Sequence, residues 1–242
     1  MTTTERAVIR VASYNIRKSV GLDRKRRPER IVEILNEINA DVVALQEVDR
    51  RTGLRETTIP RAMIEAETDL KVVEIATRPD SIGWHGNAIL VRKDAEVMVE
   101  RRHDIPVLEP RGAISADILL NGQHLRIVGM HLALMRSYRR QQIRAVTSQI
   151  QRLNAQIPTL IMGDLNEWRP GGSLDAFGTE YTIATPGPSF HSSRPVASLD
   201  RIILRNDLEL LKGAVHHSDL SLVASDHLPI YADIKVYQPV TA

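Results

Sequence analysis

Cysteine is absent from the 242 residues, which excludes disulfides, thiolate zinc sites and thiol nucleophiles together. Aromatic residues are scarce at 4%, so platforms for stacking bases are few. Charge of one sign is also missing: 32 Lys and Arg oppose 30 Asp and Glu, for a net charge of +2. No apolar run approaches the ~20 residues that span a bilayer. The N-terminal stretch MTTTERAVIRV has no apolar core of a secretory signal. The expectation is an intracellular, cytoplasmic protein without a transmembrane segment. Several chemistries lose their warrant too, because G-x-x-x-x-G-K-[ST], G-x-S-x-G, H-E-x-x-H and G-x-G-x-x-G are all missing.

What is present suits a globular chain: 43% apolar and 26% charged residues. No linker or low-complexity stretch interrupts it, so residues 1–242 read as a single domain. Two segments read alike. VIRVASYNI is strand-like, Pro28 opens a helix with Ile31, Ile34, Leu35 and Ile38 on one face, and DVVALQEV is a buried strand. Further on, LRIVGMHLAL is a strand, residues 137–156 place Ile143, Val146, Ile150 and Leu153 on a helical face, and TLIMGDLN is another strand. This strand–helix–strand pseudo-repeat predicts that Asn15, Glu47, His131 and Asp164, at the strand ends, meet in one cleft. Between the halves lie GNAILVR and AISADILL, the latter joined to the next strand by the hairpin signal Asn121-Gly122. A Pro/Gly-rich loop (Pro170 to Pro188) leads to the strands SLDRIIL and LPIYADIKV. The mixture of hairpins and crossovers predicts an α/β sandwich rather than a doubly wound sheet.

Acidic residues end or interrupt apolar runs four times: Glu47, Asp164, Asp200 and Asp226. A carboxylate there is costly unless paired or bound to metal. For each alone, capping or a surface ion pair explains it; four together point to a site. Carboxylates and carboxamides without thiolates select hard cations, Mg²⁺ or Mn²⁺. His227 beside Asp226 supplies a group titrating near neutrality, with Asp200 to orient it. Asn15 and Asn166 supply amides. His85, His103, His124, His216 and His217 read as surface or loop residues, and His191 as a loop residue within reach of substrate. Arg clusters (24–27, 50–51, 101–102 and 136–144) suit phosphate, although each alone is also an ordinary solvated surface.

The blocks SYNIR, LQEVD, GMHLAL, GDLNEW, SLDRIIL and SDHLPI follow one another in order across nearly the whole chain. Together they resemble the endonuclease/exonuclease/phosphatase superfamily of DNase I-like hydrolases. The resemblance implies a four-layer α/β sandwich of two facing mixed β-sheets flanked by helices. It implies Glu47 as principal metal ligand, with Asn15 beside it and Asp226 in the metal shell. Asp164 would position or deprotonate the attacking water, and Asn166 would hold that water or the phosphoryl group. His227 would bind the scissile phosphate or act as base, with Asp200 on its imidazole. His131 would stabilise growing charge. Arg17, Arg111, Trp168 and His191 are the candidate substrate-binding residues. Two positions depart from DNA-repair members: Arg17 stands where many have Asp, and His131 where apurinic-site endonucleases have Tyr.

The expected activity is Mg²⁺- or Mn²⁺-dependent hydrolysis of a phosphodiester. Nucleic acid is preferred as substrate for the Arg clusters, including Arg140, Arg144 and Arg152 along one helix. A phospholipid or small phosphoester is the alternative, and an inactive phosphate-binding scaffold a third reading.

Overall fold

Residues 8–237, apart from 108, 110, 170 and 206, are described by the computed structural model. The chain starts with β1 (Ile9–Asn15), α1 (Pro28–Ile38), β2 (Val42–Gln46), α2 (Arg61–Glu67), β3 (Leu70–Val72) and β4 (Ala88–Arg92). It continues through β5 (Glu96–His103), β6 (Gly112–Leu120), β7 (Gln123–His131), α3 (Arg136–Gln151) and β8 (Thr159–Asp164). It ends with β9 (Tyr181–Ala184), β10 (Asp200–Arg205), β11 (Leu208–Val215), α4 (Ser221–Ala224) and β12 (Ile230–Val236). The N-terminal stretch 1–7 and Pro170, where the long loop was expected to begin, lie outside the described residues.

These strands form two six-stranded mixed sheets, ordered β11-β12-β1-β2-β4-β3 and β5-β6-β7-β8-β10-β9. Each pseudo-repeat supplies the parallel pair of one sheet: β1 with β2, and β7 with β8. Both pairs need crossover helices, which α1 and α3 provide. These strands are buried almost throughout and mostly apolar because both faces are covered. Val11, Val42, Ile89, Ile127 and Met162 pack between the sheets. On the outside of the first sheet, Ala12, Val43 and Leu45 meet Ile31, Ile34 and Leu35 of α1. On the outside of the second, Val128, Met130 and Ile161 meet Ile143, Val146 and Ile150 of α3. The result is helix, sheet, sheet, helix: the four layers expected.

Local chemistry sets the element ends. Pro28 sits in the first turn of α1, where its missing N–H costs nothing. Asn39 closes the helix at φ 50°, its N–H bonded to Leu35 O. Asn121 and Gly122, both at positive φ, make the β6–β7 turn. α3 stops at Gln151, short of the expected 156, because the Asn154 side chain captures the Gln156 N–H and turns the chain. Leu153 therefore lies past the helix. The expected 170–188 loop carries β9, with Tyr181 against Phe177. His103 is a correction as well: it is buried on β5, its Nε2 2.8 Å from Ser115 Oγ.

Candidate active site

Parallel strands that point the same way deliver their C-terminal residues to the same rim. Asn15, His131 and Asp164 end β1, β7 and β8, and Glu47 follows β2. The antiparallel β10 begins where β8 ends, placing Asp200 opposite Asp164. Asp226 and His227 lie in the turn entering β12. A pocket of ≈ 370 Å³ results, lined by ten of the twelve candidate residues: Asn15, Arg17, Glu47, Arg111, His131, Asp164, Asn166, Trp168, Asp226 and His227.

Asp164 is its focus and is 2% exposed. Its Oδ2 accepts from Asn15 Nδ2 at 3.0 Å and lies 3.3 Å from His131 Nε2 and 3.6 Å from His227 Nε2. Its Oδ1 accepts the Asn166 N–H at 3.0 Å. Burial opposes the charge, but the imidazoles of His227 and His131 and the Asn15 amide outweigh it, holding the carboxyl below its usual range. Asp200 stands behind His227, outside the pocket wall, and takes His227 Nδ1 at 2.9 Å and Ser189 Oγ at 2.5 Å. Burial likewise disfavours the charged ring, yet Asp200 and Asp164 push the His227 pKa up to about 10. Phe190 packs on the same ring at 4.9 Å and carries Trp168 edge-on at 5.8 Å.

Glu47 occupies the opposite wall at φ 57°. Lys18 pairs with its Oε2, while Arg51 and Arg111 approach Oε1 at 3.3 and 3.9 Å. Burial raises the Glu47 pKa, but His131 and Lys18 lower it further, so the carboxylate stays ionised. Arg111, itself buried, also bonds His131 Nδ1 at 2.9 Å. Arg17 pairs with Asp226 at 3.3 Å. Arg17, Lys18, Glu47 and Asn166 all hold left-handed φ, a strain that non-glycine residues keep where surrounding structure enforces it, often at functional sites.

Oxygen donors for a hard cation are therefore present at Glu47, Asp226 and Asn15, and the converging cationic side chains at Glu47 mark it as a strong anionic point. This donor set fits a Mg²⁺-type ion. Asp164, Asp200 and His227 also cluster closely enough to ligate. Asp200, however, holds His227 Nδ1 at 2.9 Å, and a ring kept protonated on both nitrogens by Asp200 and Asp164 has no free lone pair for a metal.

With Asp200 behind the wall, His191 is the second candidate outside the pocket: its Nδ1 lies 3.0 Å from Ser193 Oγ, and Phe190 takes the place beside the pocket. Arg140 and Arg144 lie on α3, and Arg152 just past its end, roughly 24 Å along the helix from its start beside the pocket. Sequence reading passed over Lys18, Phe190 and Glu167. Glu167 is buried in the GDLNEW block, and its carboxylate anchors the loop carrying Asn166 and Trp168 to Arg139 and Ser173.

The backbone behind Asp164 is close-packed. A Cβ on Gly163 would lie 1.8 Å from Met130 O. Gly163→Ala is expected to destabilise the fold by about 1–3 kcal/mol, measured as a lower urea midpoint, with turnover falling further as Asp164 is displaced. An unchanged midpoint would remove the steric argument.

Two facing mixed sheets with this acid, amide and imidazole cleft at one rim define a phosphoester hydrolase. The chain belongs to the endonuclease/exonuclease/phosphatase family, whose model matches residues 12–227. Members of that family generally depend on a divalent metal. A Bacteroides vulgatus endonuclease/exonuclease/phosphatase superposes with a TM-score of 0.76 at 17% identity, covering 96% of this chain and 100% of that one. D. rerio TDP2 complexed with a single-strand DNA product gives 0.75 at 18%, covering 95% and 100%. A Bacteroides thetaiotaomicron mannosyl-6-phosphatase gives 0.73 at 17%, covering 93% and 99%. No match was found among curated proteins. Among the described residues, no helix is long and apolar enough to cross a membrane.

Proposed function

We propose that this protein is a Mg²⁺- or Mn²⁺-dependent phosphodiesterase acting on nucleic acid. The observation carrying the reading is that Asn15, His131 and His227 converge on one oxygen of buried Asp164, while Glu47 and Asp226 supply oxygen donors in the same pocket. When bound by Glu47, Asp226 and Asn15, the metal would polarise a phosphate oxygen and offset charge on the leaving group.

The protein groups do the rest. Asp164 is held ionised by its neighbours and accepts a proton from, or orients, the attacking water. Asn166 donates its Nδ2 to Leu132 O at 2.9 Å, leaving its side-chain oxygen to accept from that water. His227, flanked by Asp200 at one nitrogen and facing Asp164 with the other, acts as a donor to a non-bridging oxygen. His131 and Arg111 are fixed to one another and face the same developing charge, as fixed donors do in electrostatic catalysis. The cationic wall of Arg17, Lys18, Arg51 and Arg111 supports a polyanionic substrate.

One observation favours the second reading, a phospholipid or small phosphoester. Leu134 and Trp168, each 60% exposed, form an apolar rim beside the pocket, continued by Met135. A substrate panel decides between them: plasmid DNA, single-stranded DNA, RNA, sphingomyelin and bis-p-nitrophenyl phosphate, each with Mg²⁺, Mn²⁺ or EDTA. DNA or RNA should be cleaved with metal and spared in EDTA. Glu47→Ala should lose roughly 10²–10³ in rate, the scale for removing one element of such a site. Preference for the lipid would overturn the nuclease reading, and full activity in Glu47→Ala would overturn the site.

A further inference from the structure

Beyond Glu47 the cleft opens into a second pocket of ≈ 200 Å³, and Lys18, Glu47, Arg51, Arg111 and His131 line both. Six cationic side chains border it: Lys18, Arg50, Arg51, Arg55, Arg78 and Arg111. Only two carboxylates do, Glu47 and Asp49. Glu47 is already taken by Lys18, Arg51 and Arg111, and Arg50 is satisfied outside by Glu56 at 3.1 Å. Asp49 turns to Ser81 Oγ at 2.7 Å; among the described residues it joins no ion pair, and Arg55 acts on it only as a longer-range counter-charge. Arg55 and Arg78 thus make no ion-pair contact with a carboxylate among the described residues; the Arg78 guanidinium makes only a 3.4 Å bond to Leu54 O. Guanidinium groups held near one another in a pocket repel, and the arrangement is stabilised when an anion joins them.

The pocket is also built rather than incidental. Trp84 and His85 pack edge-to-face at 4.2 Å on its wall, and His85 Nδ1 is buried with no hydrogen-bond partner among the described residues. Arg55 and His85 hold left-handed φ of 54° and 49°, so the backbone maintains these two side chains at a conformational cost.

We infer that this pocket is a second phosphate subsite, which binds the phosphate group next along the nucleotide chain from the scissile one. The inference rests on the phosphodiesterase reading and narrows it: the preferred substrate carries at least two phosphates, one at Asp164 and His227 and one at Arg55 and Arg78. Arg111, shared by both pockets, sits between them.

Calorimetry in EDTA tests the subsite without turnover. Thymidine 3′,5′-bisphosphate should bind at least about tenfold more tightly than thymidine 5′-monophosphate, the scale of one or two charge-assisted hydrogen bonds. In Arg55→Gln/Arg78→Gln, with its urea midpoint checked, the two affinities should become equal. Equal affinities in the wild type, or a difference that survives in the double variant, would overturn the subsite. Turnover separates the sources of the phosphate. Thymidine 5′-(p-nitrophenyl phosphate) is compared carrying a 3′-hydroxyl, a 3′-phosphate or a 3′-methyl phosphate. A gain in kcat/KM for both phosphorylated forms, lost in the double variant, marks a backbone phosphate. A gain for the 3′-phosphate alone limits the subsite to chain ends and overturns the backbone form. Binding discrimination without turnover of any of the three would sink the phosphodiesterase reading and leave the subsite standing. Turnover of all three at one rate would sink the subsite instead.

Discussion

Asp164→Asn is expected to lose at least about 10³-fold in kcat with little change in KM, because it removes an acceptor needed chiefly as the water attacks. The substitution keeps the shape of the side chain. Asn15 Nδ2, His131 Nε2 and His227 Nε2 would still face it at 3.0, 3.3 and 3.6 Å. What changes is that an amide can neither take a proton from water nor hold a negative charge among those donors. His227→Ala is expected to cost a similar amount. Since both act on one transition state through one contact set, the double variant should be scarcely worse than the poorer single variant. Purified enzyme, the best substrate of the panel and kcat measured for all three variants suffice. A loss under tenfold for Asp164→Asn, or strictly multiplicative losses in the double variant, would remove Asp164 from the centre of the chemistry.

The same convergence shows how much the sequence reveals. Interior strands were legible because burial writes a long apolar run, or in β12 an apolar residue at every second position. β1, β2, β4, β6, β7, β8, β10 and β12 were all read from such patterns, and all lie inside their sheets. The four strands that escaped, β3, β5, β9 and β11, are the four sheet edges. β5 carries Glu96, Glu100, Arg101 and Arg102, and β11 has a register shift between Leu210 and Lys212. An edge strand protects itself from stray pairing with charge and bulges, and those erase the alternation that would announce it. The pocket was legible for a related reason: a carboxylate at the end of an apolar run is conspicuous. Asp200 was visible on that ground, although it works from behind His227. Phe190 and the arginines Arg55 and Arg78 of the second pocket lie in loops, and Lys18 in a single tight turn, where residue type carries no signal. His191 and Phe190 show the limit plainly, since adjacent residues exchanged the place expected of one.

Glu167 escaped too, and its removal is expected to have the largest effect on stability. Its Oε2 accepts Arg139 Nη2 at 3.1 Å, Ser173 N at 2.7 Å and Ser173 Oγ at 2.6 Å, and its Oε1 accepts Arg169 N at 3.1 Å. Arg139 is buried on α3 and spends its other donors on Ser173 Oγ and the carbonyls of Ala133 and Leu134. Glu167→Gln leaves that guanidinium buried without a counter-charge, which should cost about 3–5 kcal/mol. The pH dependence has a definite sign. Burial disfavours the Glu167 anion, but the Ser173 hydroxyl, the Ser173 and Arg169 N–H groups and Arg139 outweigh it, lowering its pKa from 4.5 to about 2. Its contribution is therefore complete above pH 4.5 and is lost as pH falls through about 2. The shift corresponds to about 3 kcal/mol, in line with the mutational figure. Urea midpoints for wild type and Glu167→Gln at pH 7, 4 and 3 should differ most at pH 7 and draw together at pH 3. Because the same carboxylate pins the loop that carries Asn166 and Trp168, turnover at pH 7 should fall even where the variant is fully folded. A wild-type acid slope unchanged by the substitution would show that Glu167 neither holds its charge nor ties α3 to the catalytic loop.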